Sequence, residues 1–169
     1  MALAAALGLA ACGPHGPRVG VAKLADLPTP LPRPYDERAT PAVVDARLDA
    51  AFADARRSGR RVLVDLGGNW CSWCRMLDAV MELPKAKPWI DANFVVVPVA
   101  VASTHTSGAD RNLQVLRRFG VGKVDGVPWL VIADPDGHVL VSSDAVTDDA
   151  HHTPQSMLDW LAHWARKPA

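Results

Sequence analysis

The sequence predicts an α/β domain, a mixed sheet of about four strands flanked by helices, with one extra helix ahead of the first strand. Two short, β-branched apolar runs, "RVLVDL" at 61–66 and "FVVVPVAV" at 94–101, alternate with stretches of helical periodicity, the pattern of a βαβ unit. Two further apolar runs joined through Asp134-Pro135-Asp136-Gly137 carry a hairpin signature. Of the 169 residues, 49% are apolar, ample for one packed core.

Thr40 and Pro41 suit the N-cap and first position of a helix whose apolar face is Val44, Leu48, Phe52 and Ala55, closing near Gly59. The run 61–66 follows as a buried strand. From Cys71 to about Leu83, residues Met76, Leu77, Val80 and Met81 recur at helical spacing, and Pro84 limits the helix. "KPWIDAN" adds a turn or short helix before the second strand. "DRNLQVLRRFG" reads as an amphipathic helix ending at Gly120, and "PWLVIADPDGHVLVSS" as the hairpin. "TPQSMLDWLAHWARK" is a closing helix, with Thr153 as cap and Pro154 at its first position. The βαβ unit followed by a ββα unit makes the sheet mixed.

Two stretches ahead of the predicted domain differ from it in character. The opening "MALAAALGLAAC" is small and apolar and stops at Cys12. It resembles the end of a bacterial lipoprotein signal, with Leu9-Ala10-Ala11-Cys12 as lipobox, though it lacks the usual Lys or Arg before the apolar run. That resemblance implies removal of residues 1–11, lipidation of Cys12 and a place on the periplasmic side of the cell envelope. Residues 12–40 are expected to be a tether, because the stretch 13–41 holds half of the 14 prolines and favours extended polyproline-like backbone. The domain then spans 41–169. No run in it reaches the ~18 apolar residues of a spanning helix. Its 18 basic and 18 acidic residues balance, so net charge gives no reason to expect nucleic acid as a partner.

With Cys12 set aside, two cysteines remain, Cys71 and Cys74, in "NWCSWC". A CxxC at the junction of a strand and a helix suits a metal clamp, a structural staple or a redox centre. Structural zinc wants four ligands, and only one CxxC is present, with His151 and His152 adjacent rather than spaced. Copper would want a companion histidine, for which His105 and His138 are candidates outside any motif. A permanent disulfide across so short a loop is unusual. Redox chemistry fits a lone CxxC in a βαβ setting best.

Trp70-Cys71-Ser72-Trp73-Cys74 after a strand, Asp65 six residues before Cys71, and Gly126-Val127-Pro128 ahead of a later strand together resemble the thioredoxin superfamily. Within it they are most similar to secreted thioredoxin-like thiol–disulfide oxidoreductases. The resemblance covers about 40–167. It implies that Cys71 attacks, Cys74 resolves, Asp65 moves the proton of Cys74, and Pro128 is cis, leaving the Val127 backbone to pair with an extended substrate. Trp70, Ser72 and Trp73 then line the substrate. The chemistry agrees: a cysteine at a helix start faces unpaired N–H groups and the positive end of the dipole, which stabilise the thiolate. Asp65, flanked by apolar neighbours, is expected to hold its proton more tightly than a solvated carboxyl.

The departures are informative. Ser72 and Trp73 replace the Gly-Pro of typical thioredoxins, which leaves the direction of electron flow open. Gly67-Gly68-Asn69 replaces a bulkier run, so the flank of the site is expected to be open. Pro98 stands where many relatives carry lysine and suits an edge strand. The long connection 102–126 either lines a substrate groove or is a surface insertion. The expected function is a lipid-anchored thiol–disulfide oxidoreductase without cofactor or metal, acting in the reductase or isomerase direction. Its partners would be protein or small-molecule disulfides and a membrane or soluble thiol donor. Copper handling in metalloprotein assembly and a non-catalytic docking role are the alternatives.

Overall fold

A computed structural model describes residues 15–101, 112–122, 124–144, 146 and 153–165. The elements are α1 (Pro41–Ser58), β1 (Arg61–Gly67), α2 (Ser72–Met81), α3 (Lys87–Asn93), β2 (Phe94–Ala100), α4 (Gln114–Arg118), β3 (Trp129–Ala133), β4 (Val139–Ser143) and α5 (Pro154–Trp164). Thr40 caps α1 by accepting the Val43 N–H, and Gly59, at φ 70°, closes it in the left-handed region. Thr153 and Ser156 form a reciprocal capping box on α5. Gly137, at φ 96°, allows the tight hairpin, where Asp134 Oδ1 accepts the N–H groups of Asp136 and His138.

The sheet order is β2-β1-β3-β4. β1 runs parallel to β2 and antiparallel to β3, which pairs antiparallel with β4. β2 is therefore an edge, where Pro98, opposite Asp65, is tolerated. Side chains of β1 alternate between two cores. Leu63 joins Leu77, Val80, Ile90 and Leu158 beneath α2, α3 and α5, while Val62, Val64 and Leu66 meet Leu48, Phe52 and Val115 beneath α1 and α4. Period 2 puts Asp65 and Gly67 on the α2 side.

Residues 15–40 differ from the tether expected of them: they are part of the folded unit. Leu27 is buried, and Val19, Val21, Leu24 and Leu31 pack on the α2–α5 core. A polyproline-like segment makes no internal hydrogen bonds, so its carbonyls are free for outside donors. Arg75 of α2 supplies them, donating Nε to Pro32 O (2.9 Å) and Nη2 to Leu31 O (2.7 Å). The Gly16 N–H donates to Asp159 Oδ1 of α5 at 2.8 Å. Replacing Arg75 with alanine should lower stability by about 1–2 kcal/mol. A reduced urea midpoint, with faster protease cleavage around residues 28–34, would show it.

Candidate active site

β1 ends at Gly67, and the Cys71 N–H donates back to Gly68 O at 3.0 Å, turning the chain into α2. Cys71 is the N-cap. Its Sγ accepts the Cys74 N–H at 3.1 Å, one of the amides a helix start leaves without an internal partner. Cys71 and Cys74 form a disulfide with Cα atoms 5.3 Å apart. On reduction the same amide and the dipole behind it would favour a thiolate on Cys71. Cys74 is fully buried, whereas Cys71 retains 7% exposure, so an incoming disulfide meets Cys71 first.

Val127–Pro128 is a cis peptide, and the Val127 carbonyl oxygen lies 3.5 Å from Cys71 Sγ. The backbone just ahead of β3 thus faces the disulfide. Pro128 is buried, Ser72 is exposed, and Trp70 and Trp73 are 39% and 38% exposed. The two indoles, each next in the chain to a cysteine, belong to neither core. Of the predicted residues, Cys71, Cys74, Val127 and Pro128 come together. Cys12 lies outside the described residues, as do His105, His151 and His152. His138 sits in the hairpin turn against Asp134 (2.9 Å). That turn is at the far end of the sheet, because the site end of β3, Trp129, pairs with Leu66 while Ala133 pairs with Val62.

Behind the disulfide, Asp65 is 1% exposed. The Tyr35 hydroxyl donates to its Oδ2 at 2.7 Å, while Oδ1 is buried with no partner among the described residues. Burial pushes the Asp65 carboxyl up to about 7, the negative charge of Asp78 adds to the rise, and the Tyr35 hydrogen bond opposes it. Asp78 on α2 is itself pushed up to about 6, by burial first and then by Glu82. Tyr35 is driven well above the ordinary phenol range by burial and by the adjacent Asp65.

Sequence reasoning missed Tyr35, Asn69 and Asp78. Asn69 clamps the Tyr35 backbone from both sides, Nδ2 donating to Tyr35 O (2.7 Å) and Oδ1 accepting the Tyr35 N–H (3.3 Å). The flank at Gly67 is not open. A Cβ there would lie 2.5 Å from Tyr35 Oη and 2.9 Å from Cys74 Sγ, so the missing side chain makes room for the phenol. The available signal was that Tyr35 is the chain's single tyrosine, placed among prolines where an aromatic has no reason to be unless it is covered.

The model of the thioredoxin-like domain matches residues 48–143, more than half of the chain. The chain belongs to the thioredoxin-like family. The crystal structure of a disulphide isomerase from Xylella fastidiosa Temecula1 is similar to this thioredoxin-like chain with a TM-score of 0.66 and 29% identity, covering 78% of this chain and 96% of its own. An oxidoreductase called DsbH shares 18% identity over 54% of this chain and 65% of its own, at a TM-score of 0.39. No curated protein matches the chain.

Proposed function

We propose that this chain is a thiol–disulfide oxidoreductase of the cell envelope, acting on protein or small-molecule disulfides in the reductase or isomerase direction. The observation that carries this reading is a single disulfide whose Cys71 sulfur is at once the N-cap of α2 and 3.5 Å from the Val127 carbonyl oxygen. A helix start lowers the energy of the thiolate, and an adjacent free backbone lets an extended substrate pair alongside. The likeness to a disulphide isomerase over most of both chains supports the same direction. Lipid at Cys12 belongs to this reading through the lipobox. With residues 15–40 folded onto the domain, such an anchor would hold the domain close to a bilayer.

In the reducing direction the Cys71 thiolate attacks one sulfur of the substrate disulfide. The S–S electron pair leaves with the other sulfur, which takes a proton. Cys74 then gives up its proton, here to Asp65, and attacks Cys71 Sγ. The second substrate sulfur leaves and is protonated in turn. Two electrons pass from the dithiol to the substrate, and the two thiol protons end on the two product thiols. A reductant of the thiol class restores the dithiol by the reverse steps.

The test is a redox titration of the purified chain in dithiothreitol and glutathione buffers, following Cys71 and Cys74 by alkylation. One reversible two-electron transition is expected. A potential near about −270 mV marks a reductant and one near about −120 mV an oxidant. If no transition appears between these limits and the chain turns over no disulfide, the redox reading is wrong.

A further inference from the structure

We propose that Tyr35 is a positioning residue of the disulfide centre, holding the Asp65 carboxyl in the orientation that serves Cys74 and closing both off from water. The proposal rests on the thiol–disulfide reading above and names a residue that lies ahead of the matched domain, on the N-terminal segment.

The geometry is specific. Tyr35 is 3% exposed and its hydroxyl donates to Asp65 Oδ2. Its Oη and Cys74 Sγ both lie within 3 Å of one point, the place a Gly67 Cβ would take. The phenol oxygen therefore adjoins both the carboxyl and the resolving sulfur. Its own backbone is fixed by Asn69, and the Asn69 N–H donates to Glu37 Oε1 at 3.1 Å, tying the same segment to the turn that leads into Cys71. Across the sheet Asp65 is paired with Pro98 on β2 and Leu130 on β3, neither of which brings a charge or a donor. Asp78 acts on it from α2 and Tyr35 from the N-terminal segment, with Cys74 of α2 beside the phenol.

With Oδ2 occupied by the phenol, the exchangeable proton of Asp65 is confined to Oδ1, the oxygen without a partner. Burial and the nearby carboxyl keep the Tyr35 hydroxyl protonated, so it donates in both ionisation states of Asp65 and stabilises the carboxylate. When Cys74 attacks Cys71 Sγ, its proton passes to Asp65 as the substrate sulfur leaves with the electron pair. Asp65 then returns that proton to the departing thiolate. Tyr35 gains and loses nothing; it sets where the acceptor points and how readily it accepts.

Because Tyr35 is the single tyrosine, growth on 3,5-difluorotyrosine replaces this position alone. The electron-withdrawing fluorines make the phenol a stronger donor. The experiment follows, in the purified full chain, the pH dependence of the resolving step with oxidised glutathione. Tyr35→Phe removes the donor and should move the Asp65-linked limb to higher pH by about one unit, the size of one hydrogen bond to a charged group. Difluorotyrosine should move it to lower pH. In an Asp65→Asn background neither change should move the profile. A chain with Tyr35→Phe that does not fold leaves the fluorinated chain to decide. Normal exchange with superimposed profiles, or two displacements of the same sign, overturns this proposal alone. Absence of exchange in the unsubstituted chain overturns the redox reading and this proposal with it.

Discussion

Gly67→Val is expected to expel Tyr35 from beside Asp65 and to destabilise the chain by about 3 kcal/mol or more, at the upper end of what overpacking costs. A β-branched side chain at this point meets the Tyr35 hydroxyl and the Cys74 sulfur within 3 Å. Cys74 cannot move aside, being fully buried and fixed to Cys71. Relief comes from the N-terminal segment, which is joined to the sheet by hydrogen bonds and side-chain contacts but by no strand pairing. Once the phenol leaves, Asn69 loses its two bonds to the Tyr35 backbone, and water reaches Asp65. Three measurements check this: the urea midpoint, protease cleavage within residues 28–40, and the alkylation rate of Cys74 after reduction. All should change together, and Gly67→Ala should do the same to a smaller degree. A valine variant with wild-type stability and a still protected Cys74 would mean that the phenol does not occupy this space.

The elements were legible because each rests on local signals. Thr40 with Pro41 and Thr153 with Pro154 announce helix starts by capping chemistry, and both caps form. Pro98 requires an edge strand, and the sheet puts β2 there. The CxxC and Val127-Pro128, far apart in the chain, adjoin because β1 and β3 pair antiparallel with Leu66 opposite Trp129. The N-terminal segment was not legible, for a physical reason. Its prolines report a backbone preference and say nothing about what the intervening side chains touch. Leu24, Leu27 and Leu31 stand at i, i+3 and i+7, but Pro28 and Pro30 fall inside that run and forbid a continuous helix, so the spacing does not mark the face that packs on α2 and α5. Gly67 misled in the opposite way. A missing side chain reads as open space in a sequence, whereas here it is the socket of a residue from another part of the chain. Asp65 was expected to be buried among apolar neighbours, and it is. Its partner was unforeseen because that partner lies on the segment expected to stand clear.

Asp65→Asn should make the chain more stable at alkaline pH and worse at its chemistry. Asp65 goes from an ordinary carboxyl near 3.8 when unfolded to about 7 when folded, chiefly through burial. Below about pH 4 the carboxyl is protonated in both states and contributes no difference. Between about 4 and 7 the unfolded chain ionises it while the folded chain holds the proton, so stability falls as pH rises. Above about 7 the penalty is constant, on the order of 4 kcal/mol. Asparagine has no charge to desolvate and keeps an oxygen for the Tyr35 hydroxyl, but it buries N–H groups where Oδ1 now has no partner. Leaving those unmet takes back about 1–2 kcal/mol, so the net gain at pH 8 should be about 2 kcal/mol and should vanish or reverse near pH 4. The decisive observation is the slope: denaturant midpoints that decline from pH 4 to 7 in the wild type and stay flatter in the variant, with Asp78 supplying what slope remains. In the same variant Cys74 has lost its proton acceptor, and the resolving step should slow by about 10²-fold, the scale of one general base. The mixed disulfide on Cys71 should then accumulate and be visible by mass spectrometry. Equal slopes with fast resolution would show that Asp65 neither carries the buried charge nor moves the proton. A flat slope with fast resolution would keep the electrostatics and remove the chemistry.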